Sequence, residues 1–243
     1  MSEITKPANR LLAALPAKEY ARLLPKLKEI SLTFTETIYE PGDVIRQVYF
    51  PDSGIISLLS AVEERSLLEI GIVGNEGCVG LPVFLGVKTS NNRAIVQGAG
   101  AALEMKTADF LAECKNGGAL PQILQRYTHS LLTQISQSAV CYRFHEIEAR
   151  LARWLLMTAD RMASENFQIT QEFLSNMLGV RREAVSKSAA VFQQRQLISY
   201  RRGNISLINR AGLEKIACSC YSIIKAEEKN SASNGMREAK NKN

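Results

Sequence analysis

Arg181, Arg182, Glu183, Ser186 and Lys187 put three cations, a carboxylate and a hydroxyl on one short stretch. A guanidinium presents a planar fork of donors that matches paired acceptors or anionic oxygens. A carboxylate accepts from exocyclic amines, and hydroxyl or ammonium groups reach phosphates. Further on, Arg201 and Arg202 repeat the guanidinium pair beside Gly203 and Asn204. Groups of this kind recognise a polyanion with planar, hydrogen-bonding edges. The sequence holds no nucleophile–base motif, phosphate loop or paired-histidine metal motif, so an enzyme is not expected.

The elements around these residues fit that chemistry. Thr170 is a helix N-cap type, with Gln171 and Glu172 in the first turn. Phe173, Leu174, Met177 and Leu178 recur at helical spacing, and Gly179 permits a sharp turn. A second helix is expected from about Arg181 to Gln194, with Ala184, Val185, Ala189 and Phe192 inward. Its other face carries the charged set. A solvated helical hairpin is the commoner source of any one charge cluster. Here turn chemistry, apolar spacing and basic residues at one helix end coincide, as a helix-turn-helix requires. The β-prone runs Leu197–Tyr200 and Ile205–Ile208 flank the basic turn Arg201-Arg202-Gly203-Asn204 and predict a wing whose tip clamps phosphates. Duplex DNA is the expected partner.

The charge distribution agrees. The formal net charge is +6 over 243 residues, but 1–144 is neutral overall. Residues 145–225 carry 12 Lys/Arg against 7 Asp/Glu, so the excess sits where phosphates would be met. No run of 18 apolar residues suggests a membrane span, and the start MSEITKPANR lacks a signal-peptide core, so a cytoplasmic protein is expected. The five cysteines, Cys78, Cys114, Cys141, Cys218 and Cys220, argue against a disulfide framework. Cys218 and Cys220 are too close together and too isolated to suggest a four-ligand metal site, even with His129 and His145 in the chain. Ordinary free thiols are the favoured reading and a redox role the alternative. No metal and no certain cofactor are expected.

Towards the N-terminus, 6–28 suggests short helices and about 30–106 a series of short strands split by turns. Pro41-Gly42-Asp43, Pro51 to Gly54 and Gly74 to Gly77 supply the turns. This pitch predicts an antiparallel barrel or jelly roll. After a short helix from Thr107, a long helix is predicted over Ala119–Phe144. Leu124, Tyr127, Leu131, Ile135, Ser138 and Tyr142 give it a coiled-coil-like seam, widened by Leu120, Ile123, Leu132 and Ala139. It is expected to pack on its own barrel by one edge and on a second copy by the other. A helix over His145–Ala163 carries Trp154 inward. A final helix, about Ala211 to Lys225, precedes a polar tail expected to be disordered.

The order of β-roll, long helix and C-terminal winged helix-turn-helix resembles the Crp/Fnr family of bacterial transcription regulators. The resemblance spans about residues 20–210 and is most specific at TQEFLSNMLGVRREAVSK. It implies an α+β fold. An N-terminal double-stranded β-helix jelly roll of the cyclic-nucleotide-binding type occupies 1–118, and a connecting and dimerising helix 119–144. A winged helix-turn-helix follows over 145–225, then the tail 226–243. It also implies a homodimer on a pseudo-palindromic site, working with RNA polymerase. By that match Arg182, Glu183 and Lys187 read bases, while Arg181, Ser186 and Gln171 hold phosphates together with Arg201 and Arg202.

The effector pocket departs from the pattern. Cyclic-nucleotide binders of the family carry Gly-Glu-[Leu/Ile/Ala] and then Arg-[Ser/Thr]-Ala. The matching places here read Gly80-Leu81-Pro82 and Arg93-Ala94-Ile95. Leu81 cannot take a ribose hydroxyl, a loss of about 1–3 kcal/mol. Tight cyclic AMP binding is not expected, and an unknown small effector is left open. Arg93 either binds another anion or pairs with a local carboxylate. The N-terminus lacks the cysteine cluster of the iron–sulfur members.

Overall fold

The computed structural model describes residues 7–61 and 67–240. Two short helices, α1 (Arg10–Ala13) and α2 (Ala17–Leu23), lead in. Asn9 caps α1: its side-chain oxygen accepts from the amides of Leu11 and Leu12. Its Nδ2 donates to the carbonyls of Pro51 and Gly77, which pins the cap to the strands behind it.

Strands β1 (Leu27–Leu32), β2 (Thr37–Tyr39), β3 (Gln47–Pro51), β4 (Ile55–Ala61), β5 (Leu67–Val73), β6 (Arg93–Gly98) and β7 (Gly100–Lys106) follow. They form two antiparallel sheets, ordered β1-β7-β3 and β2-β6-β4-β5. This is the expected jelly roll. β4 is buried along five consecutive residues because its two faces serve two cores. Ile56 and Leu58 point into the roll, and Ile55 and Leu59 into the core of the helical half. Period-two alternation then yields an unbroken apolar run, as it must for a strand covered on both sides.

The helical half contains α3 (Thr107–Lys115), α4 (Ala119–Phe144), α5 (Ile147–Met162), β8 (Asn166–Gln168), α6 (Gln171–Leu178) and α7 (Arg182–Gln194). It closes with β9 (Ile198–Arg201), β10 (Asn204–Leu207), α8 (Arg210–Ile216) and α9 (Ser219–Lys240). α4 has the expected bounds. Its seam is spent within the chain: Leu124, Tyr127, Leu131 and Ser138 are buried, and Ile135 and Tyr142 half-buried. Gln134 seals the contact, accepting from the amide of Ile72 at 2.6 Å and donating to its carbonyl at 3.1 Å. The outward face is a different stripe, Gln125, His129, Leu132, Ser136, Ala139 and Arg143, spaced four and three apart.

Two expectations for the C-terminus are corrected. The single helix Ala211–Lys225 is two, because Ala217 is extended (φ −57°, ψ 142°) and parts α8 from α9. From Ala226, composition predicts a disordered tail, yet α9 continues to Lys240. Ion pairs anchor it. Arg161, buried in α5, bonds Glu76 at 2.8 Å and also Glu228, and Glu227 meets His129 at 3.0 Å. Residues 241–243 of that tail lie outside the described residues.

Buried polar groups join the two halves. Trp154 Nε1 donates to Glu69 Oε1 at 2.8 Å, and Gln97 Nε2 donates to Thr158 Oγ1 at 2.9 Å. Ser57 Oγ lies 2.8 Å from Glu69 Oε2 and 2.6 Å from Gln97 Oε1. One hydroxyl proton cannot serve both acceptors. A protonated Glu69 resolves this by donating to Ser57, which donates onward to Gln97. Burial pushes the Glu69 carboxyl up to about 7, against the pull of Ser57, Arg153 and Trp154. The folded state therefore holds a proton that the unfolded state releases near pH 4.5. Stability falls as pH rises from there to about 7, by up to about 3 kcal/mol, and that contribution is absent above it. Glu69→Gln keeps both neighbours bonded and is expected to remove this slope. Melting curves of both proteins at pH 5 and pH 8 check it, and equal slopes would exclude the buried proton.

Candidate nucleic-acid interface

α6 begins where Thr170 Oγ1 accepts from the Phe173 amide at 3.1 Å. It ends at Gly179, whose φ of +61° only glycine adopts without strain. The turn is closed by the amide of Val180 donating to Ser175 O at 3.0 Å. Leu174 and Leu178 of α6 then meet Val185, Ala189 and Phe192 of α7 in a shared buried core. Ser186 Oγ donates to Gln171 Oε1 at 2.6 Å and ties the two helices at their open side.

This packing leaves one face of α7 outward. Arg181, Arg182, Glu183 and Lys187 are exposed, followed on the same side by Ala190 and Gln194. None of the four charged groups is in an ion pair among the described residues. Arg181 is the N-cap and makes no side-chain capping bond, so the first amides of α7 stay open beside two guanidinium groups. Gln171 is half-buried, with its oxygen held by Ser186 and its NH2 left to donate. Ser186 has its proton committed to Gln171, so in this arrangement it orients that residue instead of donating outward.

The wing is the sheet β8-β10-β9. Asn204 pairs with Arg201 in the ladder, so the turn itself is Arg202-Gly203, with φ +48° and +80°. Positive φ at both central residues matches the twist of a two-residue hairpin. Asn204 is thus the first strand residue and not part of the loop. Arg201 and Arg202 are exposed at the tip. Three bonds hold the wing to α7 and to the segment that leads into α6: Tyr200 OH to Ile169 O (2.9 Å), Ile169 N to Gly203 O (2.6 Å) and Tyr200 N to Gln193 Oε1 (3.0 Å). Burial pushes the Tyr200 phenol up to about 12, against the opposing field of Arg182, so it stays a donor at neutral pH. β8 was not legible in the sequence, and Gln193 and Tyr200 were missed as supports.

A concavity lies between the β-roll and α4. It has a volume of about 180 Å³. Gly80 and Leu81 line it with Leu58, Val79, Leu131 and Ile135, and its polar lining includes Tyr39, Ser90, Asn92 and Thr128. Of the four pocket residues expected, Arg93 and Ala94 do not line it. Arg93 Nε bonds Glu40 Oε2 at 2.6 Å, and Ala94 is buried in the roll core. Its neighbouring carboxylate answers the open question about Arg93: it is a paired residue.

Residues 149–216 match the family model of the Crp-like helix-turn-helix domain. This segment carries a Crp-like helix-turn-helix domain. FixK2 from Bradyrhizobium japonicum shares its fold with TM-score 0.68 at 16% identity, covering 79% of this chain and 98% of that one. The c-di-GMP-responsive global regulator CLP of Xanthomonas campestris does so with TM-score 0.63 at 17%, covering 79% and 99%. TTHB099, a CRP-family transcriptional regulator from Thermus thermophilus, gives 0.62 at 20%, covering 77% and 96%. At these identities the likeness is one of fold. No curated protein matches the chain. No helix among the described residues is long and apolar enough to cross a membrane.

The turn of this Crp-like helix-turn-helix also touches the β-roll. A Cβ at Gly179 would come within 2.6 Å of Leu68 Cδ1 on β5, at a φ that side chains rarely adopt. Gly179→Ala is expected to destabilise the protein by about 1–2 kcal/mol, through left-handed strain and the pushed Leu68. Urea unfolding measures it, and a loss under a few tenths would show that the turn relaxes freely.

Proposed function

We propose that this Crp/Fnr-type chain acts as a homodimer on pseudo-palindromic DNA, with α7 in the major groove and the wing on the flanking phosphates. The observation that carries the reading is the face of α7: exposed Arg182, Glu183 and Lys187, in no ion pair among the described residues, on a helix whose other side is buried. Arg182 suits guanine, Glu183 accepts from cytosine, and Arg181, Gln171, Arg201 and Arg202 suit phosphates. Dimerisation would use the outward stripe of α4, where Leu132 is 58% exposed, with Phe144 72% exposed beside its end. Such a stripe at heptad spacing favours pairing with a copy of itself. RNA polymerase is the further partner implied by the family.

For the β-roll we propose a small, largely apolar effector in place of a cyclic nucleotide. Leu81 stands at the pocket and Arg93 is occupied by Glu40, so neither a ribose hydroxyl nor a cyclic phosphate finds its partner. The pocket wall includes Leu131, Leu132 and Ile135 of α4, so a ligand there would press on the helix that carries the dimer stripe. A thermal-shift screen of apolar acids and amides against nucleotides tests this. Stabilisation by cyclic AMP at micromolar concentration would refute it.

The DNA assignment makes different demands on its two sets of residues. Arg182→Ala is expected to lose about 1–3 kcal/mol on the preferred site and to relax preference at one base pair. Arg201→Ala is expected to weaken all duplexes about equally and to lower the salt slope by about one. Fluorescence anisotropy across a salt series separates them, and identical behaviour would overturn the roles. Leu132→Glu should yield a monomer in sedimentation and lose the palindromic site while keeping the fold.

A further inference from the structure

The cysteine pair that looks isolated in the sequence is not isolated in space. Cys141 on the last turn of α4, His145 at its C-cap, and Cys218 and Cys220 at the start of α9 converge. Their ligand atoms all lie within 4.8 Å of one another. Cys141 and His145 are four residues apart, one helical turn, so they share a face. Cys141 Sγ is 3.5 Å from Cys218 Sγ, and Cys220 Sγ is 3.6 Å from His145 Nδ1. A tetrahedral zinc ion with bonds of about 2.3 Å to sulfur and about 2.0–2.1 Å to nitrogen places sulfurs roughly 3.8 Å apart and sulfur and nitrogen roughly 3.6 Å apart. The observed sulfur–nitrogen distance of 3.6 Å agrees with this, and the sulfur–sulfur distance of 3.5 Å is slightly shorter.

The charge around the cluster points the same way. Arg153 in α5 is 3% exposed, and its Nε has no hydrogen-bond partner. Arg150, also buried, has an unpartnered Nε as well. Neither forms an ion pair among the described residues. Arg153 lies within electrostatic reach of Cys141, Cys218 and Cys220, and Arg150 within reach of Cys141 and Cys218. Glu69 also feels Arg153, but its oxygens are bonded to Ser57 and Trp154. Four neutral ligand groups would leave these cations uncompensated. Three thiolates and an imidazole around a divalent ion carry a net charge of −1, which buried guanidinium groups stabilise.

We propose that Cys141, His145, Cys218 and Cys220 form a structural zinc site that clasps the start of α9 to the junction of α4 and α5. Binding forms three zinc–sulfur bonds and one zinc–nitrogen bond. It releases three thiol protons to water and changes no oxidation state. With all four positions filled by protein, the site is closed and has no room for a substrate. Its place at the hinge fixes how the helix-turn-helix domain leaves α4.

The test uses the full-length protein purified without added metal. Elemental analysis after gel filtration is expected to give about one zinc per chain, and cobalt exchange should give the visible bands of a tetrahedral thiolate site. Cys141→Ser and Cys220→Ser should each bring the metal content to near zero, and Cys114→Ser should leave it at about one. Should a site variant fail to fold, the cobalt spectrum of the wild type still decides. Stripping the metal with a chelator should lower the melting temperature of the wild type and not that of Cys220→Ser. Three results overturn the proposal: no metal and no cobalt spectrum, iron with inorganic sulfide in place of zinc, or a Cys141–Cys218 disulfide in the protein as isolated.

Discussion

The bond from Trp154 Nε1 to the buried Glu69 carboxyl, 2.8 Å long, lies where the β-roll and the helical half become one body. A carboxyl group in that position is tolerable only if it is neutral or fully bonded. Ser57, Gln97 and Thr158 complete the chain of partners, so β4, β5, β6 and α5 must all be in register at once. Around this polar thread the packing is apolar: Ile55, Leu59 and Ile72 of the roll sit in the same core as Leu151, Leu155 and Phe192. The apolar contact supplies the free energy of docking, and the polar thread restricts it to one geometry. The orientation of α6 and α7 therefore depends on strands far from them in sequence.

That dependence explains why a strand such as β4 is easy to recognise and hard to interpret. Its apolar run marks a buried strand, but only the structure shows that alternate residues serve separate cores. The long helix behaved similarly. Gly117-Gly118 before it and no internal Gly or Pro after Pro121 fixed its bounds, because those residues control where helical hydrogen bonding can start and stop. Which partner its apolar seam meets is not a local property. Leu124, Tyr127 and Leu131 would suit a second copy as well as their own barrel.

The helix-turn-helix was the most legible part because its constraints are local. An N-cap threonine, a left-handed glycine and apolar spacing all act within one or two turns. Long-range effects escaped. β8 has three residues and exists only through its ladder with β10. The C-terminal segment is polar enough to predict disorder, yet Glu228 finds buried Arg161 across 67 positions. Ser186 has the composition of a phosphate contact, and the structure gives its proton to Gln171 instead. Cys141 and Cys218 are separated by 77 residues, and no spacing rule reaches that far.

The position of the β-roll cavity constrains how an occupant would be felt by the recognition helix. Leu131 and Ile135 form its wall, and Gln134, between them in sequence, is bonded to both backbone groups of Ile72 on β5. A shift of this turn of α4 must either break those two bonds or carry β5 with it. Three and four residues before Ile72 on that strand stand Glu69, bonded to Trp154, and Leu68, against Gly179 of the turn. Any differential affinity an effector has for two positions of α4 thus acts on the strand that holds the helix-turn-helix, and only that differential can move the equilibrium. Gln134 carries no charge and lies on neither α6 nor α7. Its double bond to Ile72 nevertheless makes it the residue at which cavity and reading head meet.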